Sequence, residues 1–161
     1  MKRVLIIFMV AFMCVFTFGC VNESEMPFNG EIEFHSIALT VPEKFIRDST
    51  QSTEDFWVFE NGIYSELILI SRKDIAGDAS ALLDDYVESM KKVDADSKRI
   101  TFLDGDAVLS AYYLEDVYCQ EILFPYNNSF YAVALRGGDE TAFKELTDTI
   151  KLIEATEKAE V

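Results

Sequence analysis

The stretch DFWVFENGIYSELILISR, residues 55–72, decides how the rest of the chain is read. Two runs rich in aromatic and branched residues, Phe56-Trp57-Val58-Phe59 and Leu67-Ile68-Leu69-Ile70, flank Asn61-Gly62. Such side chains suit a pleated strand, and Asn-Gly accepts the positive φ angles of a tight hairpin. The second run is continuous rather than alternating, which predicts a strand buried on both faces. An antiparallel hairpin is therefore the seed of the fold.

Upstream, Glu31 to Val41 reads as a strand, with Ile37, Leu39 and Val41 alternating against Ala38 and Thr40. Ile32 and Phe34 fall on the opposite parity, so a bulge is expected near His35-Ser36. Pro42 ends the pairing, and residues 43–53 read as a loop with a helical turn.

Downstream the period changes. Leu82, Leu83, Tyr86, Val87, Met90 and Val93 recur at helical spacing, with Asp78 as N-cap and Lys91 and Lys92 at the negative end of the dipole. Four more strands are expected: Arg99 to Leu103, Ala107 to Leu114, Tyr118 to Phe124, and Phe130 to Leu135. Asp104-Gly105 and Pro125 with Asn127-Asn128 are their turn signals. Gly137-Gly138 breaks the last strand, and Asp139 caps a closing helix with Phe143, Leu146, Ile150 and Ile153 as its apolar stripe. The order β-β-β-α-β-β-β-β-α predicts an α+β domain, an antiparallel sheet of about six or seven strands packed with two amphipathic helices.

The ends read differently. Lys2 and Arg3 precede an apolar run from Val4 to Phe18 that is short for a membrane span but suits a signal peptide. The junction Thr17-Phe18-Gly19-Cys20 resembles the lipobox of bacterial lipoproteins, in which a small residue precedes a Cys that is acylated, with palmitate for example, and becomes the new N-terminus. Gly19 and Cys20 fit that pattern; Thr17 and Phe18 depart from it, and Cys14, preceded by Met13, fits it worse. The expected organisation is a signal peptide over 1–19, a lipidated Cys20 and flexible tether over 20–30, one α+β domain over 31–155 and a polar tail over 156–161.

The formal charge is −15, and Lys2 and Arg3 are the only charges among the first 20 residues. The remainder holds 12 basic and 29 acidic residues, a net −17. Such a surface repels nucleic-acid phosphates and anionic headgroups and favours a monomer.

No catalytic constellation stands out, so the chain is expected not to be an enzyme and to need no cofactor. His35 is the sole histidine and no G-x-S-x-G elbow accompanies it. Asp104, Asp106, Glu115 and Asp116 are candidates for a hard cation if they gather at a sheet end, but they lack EF-hand spacing, and Asp104-Gly105-Asp106 reads as a turn. Arg136-Gly137-Gly138 opens a helix, where Asp139 and Glu140 would repel an anion. Cys119 reads as a small buried hydrophobe. Tyr112, Tyr113, Tyr118, Tyr126 and Tyr131 supply either an aromatic core or a ligand groove.

The element order, the DFWVF hairpin and the closing helix with Phe143, Leu146, Ile150 and Ile153 resemble PsbP-like and DcrB-like domains over about Phe34 to Ile153. The resemblance implies a non-enzymic accessory or partner-binding domain, and no family site residue transfers to this chain. The resulting expectation is a lipid-anchored module on the extracytoplasmic face of the cell membrane, binding a protein partner in the cell envelope. The alternative is a lipoprotein that binds a small ligand or divalent cation.

Overall fold

A computed structural model describes residues 30–62 and 65–154. Cys20, the signal-peptide run, most of the tether and the 156–161 tail lie outside the described residues. The strands are β1 (Gly30–Phe34), β2 (Ile37–Val41), β3 (Ile46–Arg47), β4 (Phe56–Asn61), β5 (Glu66–Asp74), β6 (Asp96–Phe102), β7 (Gly105–Leu114), β8 (Val117–Tyr126), β9 (Ser129–Arg136) and β10 (Lys151–Leu152). The helices are α1 (Ala79–Met90) and α2 (Glu140–Asp148), and a 3-10 turn, Lys91–Val93, follows α1. The strands form an antiparallel seven-stranded sheet ordered β3-β4-β5-β9-β8-β7-β6 and a three-stranded sheet ordered β1-β2-β10.

The α+β class and the antiparallel sheet with two helices are as the sequence predicts. The decisive hairpin forms, with Phe59 opposite Ile68 and Val58 opposite Leu69. Its connection spans residues 62–65 rather than a two-residue Asn-Gly turn, because pairing stops at Asn61 opposite Glu66. β5 lies between β4 and β9, and Ile68, Leu69 and Ile70 are all buried, as a continuous apolar run requires.

Some element assignments need correction. The single bulged strand over Glu31 to Val41 is a hairpin. His35 and Ser36 are its turn, His35 takes φ 55°, and Phe34 pairs with Ile37. A two-residue reversal brings Ile32 opposite Leu39 on one face, which explains the parity switch without a bulge. Residues 43–53 include the short strand β3, paired with β4 through Ile46 opposite Glu60. The closing helix ends at Asp148, so Ile150 and Ile153 are not on its stripe. The chain instead adds β10 to the free edge of β2, with Leu152 opposite Ile37, and Ile150 still reaches the core. Thr149 Oγ1 accepts the Thr40 backbone N–H at 2.9 Å, which holds the chain leaving the helix against β2.

Turn chemistry sets the remaining registers. Leu103-Asp104, Glu115-Asp116 and Asn127-Asn128 are two-residue turns whose residues all have positive φ, between 46° and 64°. That geometry matches the right-handed twist of the flanking strands. The β6–β7 turn is therefore Leu103-Asp104, with Gly105 already paired to Phe102. Pro125 does not end β8; it pairs with Phe130, and the β7 ladder has already stopped at Leu123, so its missing N–H removes no bond on that side.

Two layers cover the large sheet. Leu83, Tyr86 and Met90 of α1 pack on Val108, Tyr112, Cys119, Leu123, Phe130 and Ala132. Asp78 caps α1 by accepting the Ala81 N–H at 2.8 Å, and α1 ends at Met90, leaving Val93 in the 3-10 turn. The opposite face carries the larger core. There Phe34, Ile37, Leu39 and Val41 of the small sheet and Phe143 and Leu146 of α2 meet Phe59, Ile68, Ile70, Ile122, Phe124 and Val133.

Candidate functional site

Two groups of tyrosine and carboxylate sit on opposite faces of β7 and β8. Tyr112 and Tyr113 are consecutive, so strand alternation sends them to different faces.

The first group is internal, under α1. Glu121 is 4% exposed, opposite Ser110 on β7 and Ala134 on β9. Tyr86 Oη of α1 donates to Glu121 Oε1 at 2.8 Å, and Tyr112 Oη lies 3.4 Å from Oε2. Ser97 and Ser110 hydroxyls bond to one another at 2.8 Å beside them. Burial raises the Glu121 carboxyl above its ordinary range, against the pull of the two phenols. Burial, then the Glu121 charge, raises both phenols, so they remain neutral donors. The centre ties α1 to the sheet from inside the apolar layer.

The second group is open. Tyr113 is 72% exposed and packs against Tyr118 across the β7–β8 ladder, ring centroids 5.4 Å apart and planes tilted by 52°. Tyr118 Oη lies 3.5 Å from Glu140 Oε1 at the start of α2, and burial and the Glu140 charge raise its phenol. Asp96, opposite Ala111, stands on the same face of the sheet. The start of β6, the β7–β8 turn and the opening of α2 lie at one end of the sheet. They bring Asp94, Asp96, Glu115, Asp116, Asp139 and Glu140 to that end.

Gly137 and Gly138 make this junction possible. Gly137 takes φ 83° with Ser65 O only 3.1 Å from where a Cβ would sit, and its N–H bonds Tyr118 O at 2.8 Å. At Gly138 a Cβ would fall 2.3 Å from Leu135 Cδ2. Asp139 caps α2 by accepting the Ala142 N–H at 2.8 Å, which places Glu140 beside Tyr118. The glycine pair is thus a strand-to-helix junction.

The other sequence candidates disperse. His35 Nε2 lies 3.0 Å from Glu54 O and 3.1 Å from Asp55 Oδ1, holding the β1–β2 turn against the approach to β4. Asp104 and Asp106 stand at one end of β7, Glu115 and Asp116 at the other, about 30 Å apart for a strand of this length. Asp106 pairs with Arg99 at 2.9 Å, and Glu115 faces Arg136 at 3.8 Å. Among the described residues no three His, Cys, Asp or Glu side chains gather as metal ligands. Cys119 is fully buried, and its thiol is pushed up to about 11 by burial. Tyr131 is buried, Tyr126 Oη donates to Ile153 O at 3.2 Å, and neither joins the open pair. Sequence reasoning did not single out Glu121; its only signal was an acid sharing parity with Cys119 and Leu123.

No family model and no curated protein matches the chain. Among solved structures, it is similar to the solution structure of cyanobacterial PsbP (CyanoP) from Synechocystis sp. PCC 6803. The TM-score is 0.56 at 10% identity, over 83% of this chain and 98% of that one. It is also similar to a crystal structure from Bacteroides thetaiotaomicron, with TM-score 0.51 and 17% identity over 78% of this chain and 49% of that one. Agreement of architecture over most of the chain, at identities that carry no site across, shows that this protein has a PsbP-like fold.

Proposed function

We propose that this protein is a lipid-anchored, extracytoplasmic accessory module that holds a basic protein partner near the membrane without catalysing a reaction. The observation that carries the partner role is the open Tyr113–Tyr118 face at the acidic end of the sheet, in a chain of formal charge −15. Exposed aromatics supply contact area, and complementary charge mainly raises association rate and specificity. The anchor rests on the Gly19-Cys20 junction behind the apolar run. Two acyl chains hold a protein at a membrane where one does not, at about 0.8 kcal/mol per buried methylene.

Two measurements test the parts separately. Intact mass spectrometry of membrane-extracted protein is expected to find a chain beginning at an acylated Cys20; an unmodified Cys20 removes the anchor. Proximity crosslinking in cells is expected to capture a basic protein, with capture falling as salt rises, because the Debye length shrinks from about 10 Å at 0.1 M to about 3 Å at 1 M. If nothing is captured while a small molecule or Ca²⁺ raises the melting temperature at micromolar levels, ligand binding replaces the partner role.

A further inference from the structure

We propose that the Tyr113–Tyr118 ring pair, with the Asp96 and Glu140 carboxylates beside it, is the docking point for an arginine or lysine side chain of a basic protein segment. The proposal rests on the partner-binding reading above and gives it a place and a chemistry.

Three observations converge on this occupant. The small sheet and α2 fill the core on this face, yet Tyr113 remains 72% exposed beyond them. The two rings touch, with centroids 5.4 Å apart and planes tilted by 52°, and the exposure of Tyr113 leaves aromatic surface of the pair open to solvent. A cation within about 6 Å of such a ring centre is attracted by its quadrupole, Arg more often than Lys. Asp96 and Glu140 add negative charge at this pair, and both act on the Tyr118 phenol.

Charge selects among occupants. A phosphate backbone, an anionic lipid surface and a second copy of this chain all meet a molecule of formal charge −15 with like charge. A basic segment meets it with opposite charge. Lys98, opposite Leu109 in the next row of the same face, is a competing cation.

The test uses the full chain purified from membranes in detergent and a fluorescein-labelled octa-arginine peptide, read by anisotropy at about 50 mM salt, where surface charges are weakly screened. Tyr113→Ala is expected to weaken binding about tenfold, and Asp96→Asn combined with Glu140→Gln by a similar factor. Tyr113→Phe keeps the ring and is expected to stay within twofold, and Lys98→Ala to bind about twofold tighter. Glu33→Gln with Glu43→Gln removes the same charge from exposed positions outside this face, and its expected effect is under twofold. The site is overturned if that control pair weakens binding as much as the Asp96 and Glu140 pair, or if Tyr113→Ala stays within twofold of the parent. It is also overturned if the parent ignores the peptide but binds anionic vesicles or self-associates through Tyr113. Crosslinking in cells separates this failure from that of the wider reading. A partner still captured by the Tyr113→Ala chain removes the site and leaves the partner role; no partner captured by the parent removes both.

Discussion

Tyr112 and Tyr113 are neighbours in the chain, and their environments are opposites. Tyr112 is 9% exposed and reaches Glu121 beneath α1; Tyr113 is 72% exposed and meets Tyr118 near Glu140. Each belongs to a group of two phenols and at least one carboxylate. Burial alone turns one group into a structural centre and leaves the other open to solvent. In the low-dielectric interior a carboxyl and its donors must satisfy one another, since no water replaces a lost bond. On the open face water screens the same charges, and their effect is felt mainly by an arriving cation.

The largest expected effect breaks this contrast from the inside. Tyr112→Ala removes a buried ring and one Glu121 contact, and is expected to cost about 3–5 kcal/mol in a urea titration. Tyr86→Phe keeps the ring but removes the 2.8 Å donor, with an expected loss of about 1–3 kcal/mol, the penalty of leaving a buried acceptor short of a partner. If Tyr86→Phe were neutral, Glu121 would have another source of satisfaction and the centre would not tie α1 to the sheet.

Much of this fold was legible in the sequence because hydrophobic parity survives translation into strands. Leu67 to Ile70 announced a doubly covered strand, and the spacing of Leu83, Tyr86 and Met90 announced α1. What failed were places where one pattern fits two structures. Ile32 and Phe34 against Ile37 and Leu39 suits a bulged strand or a two-residue turn, and His35-Ser36 lacks the Gly or Asn that would decide between them. Phe143, Leu146 and Ile150 keep helical spacing although the helix stops at Asp148, because a turn through Thr149 delivers Ile150 to the same core. The tyrosines could be named as candidates, but alternation alone does not say which face a second layer covers. Nor does it say that Glu121 meets Tyr86, which lies 35 residues away in the chain.

A smaller effect sharpens the comparison through pH. The Glu121 carboxyl is raised above its ordinary value, so the fold favours its protonated form. Its stabilising contribution is therefore full below the unfolded value, about 4.3, and is lost as pH rises through the raised folded value. Asp48 acts in the other sense: burial lifts it, but hydrogen bonds from Thr50 and Gln51 outweigh burial and hold it low, so its contribution is lost as pH falls through that low value. Comparing the parent with Glu121→Gln cancels Asp48 and every surface acid. The difference in unfolding free energy between them is expected to change steadily from pH 4 upward, the parent losing ground. Parallel curves for the two proteins would mean that Glu121 titrates as an ordinary surface acid does.

The smallest expected effect on stability is the most informative about the open face. Tyr113→Ala truncates a ring of the same type as Tyr112→Ala, one residue along the same strand. Yet Tyr113 is exposed, pairs with Tyr118 through a tilted ring contact, and supports no buried group. Its expected cost is within about 0.5 kcal/mol, the range of surface substitutions away from special features. A measured cost above about 2 kcal/mol would mean that Tyr113 is packed in solution, and the face would then be part of the core. A near-neutral result paired with loss of basic-peptide binding is the signature of a large aromatic retained on the surface for a partner rather than for the fold.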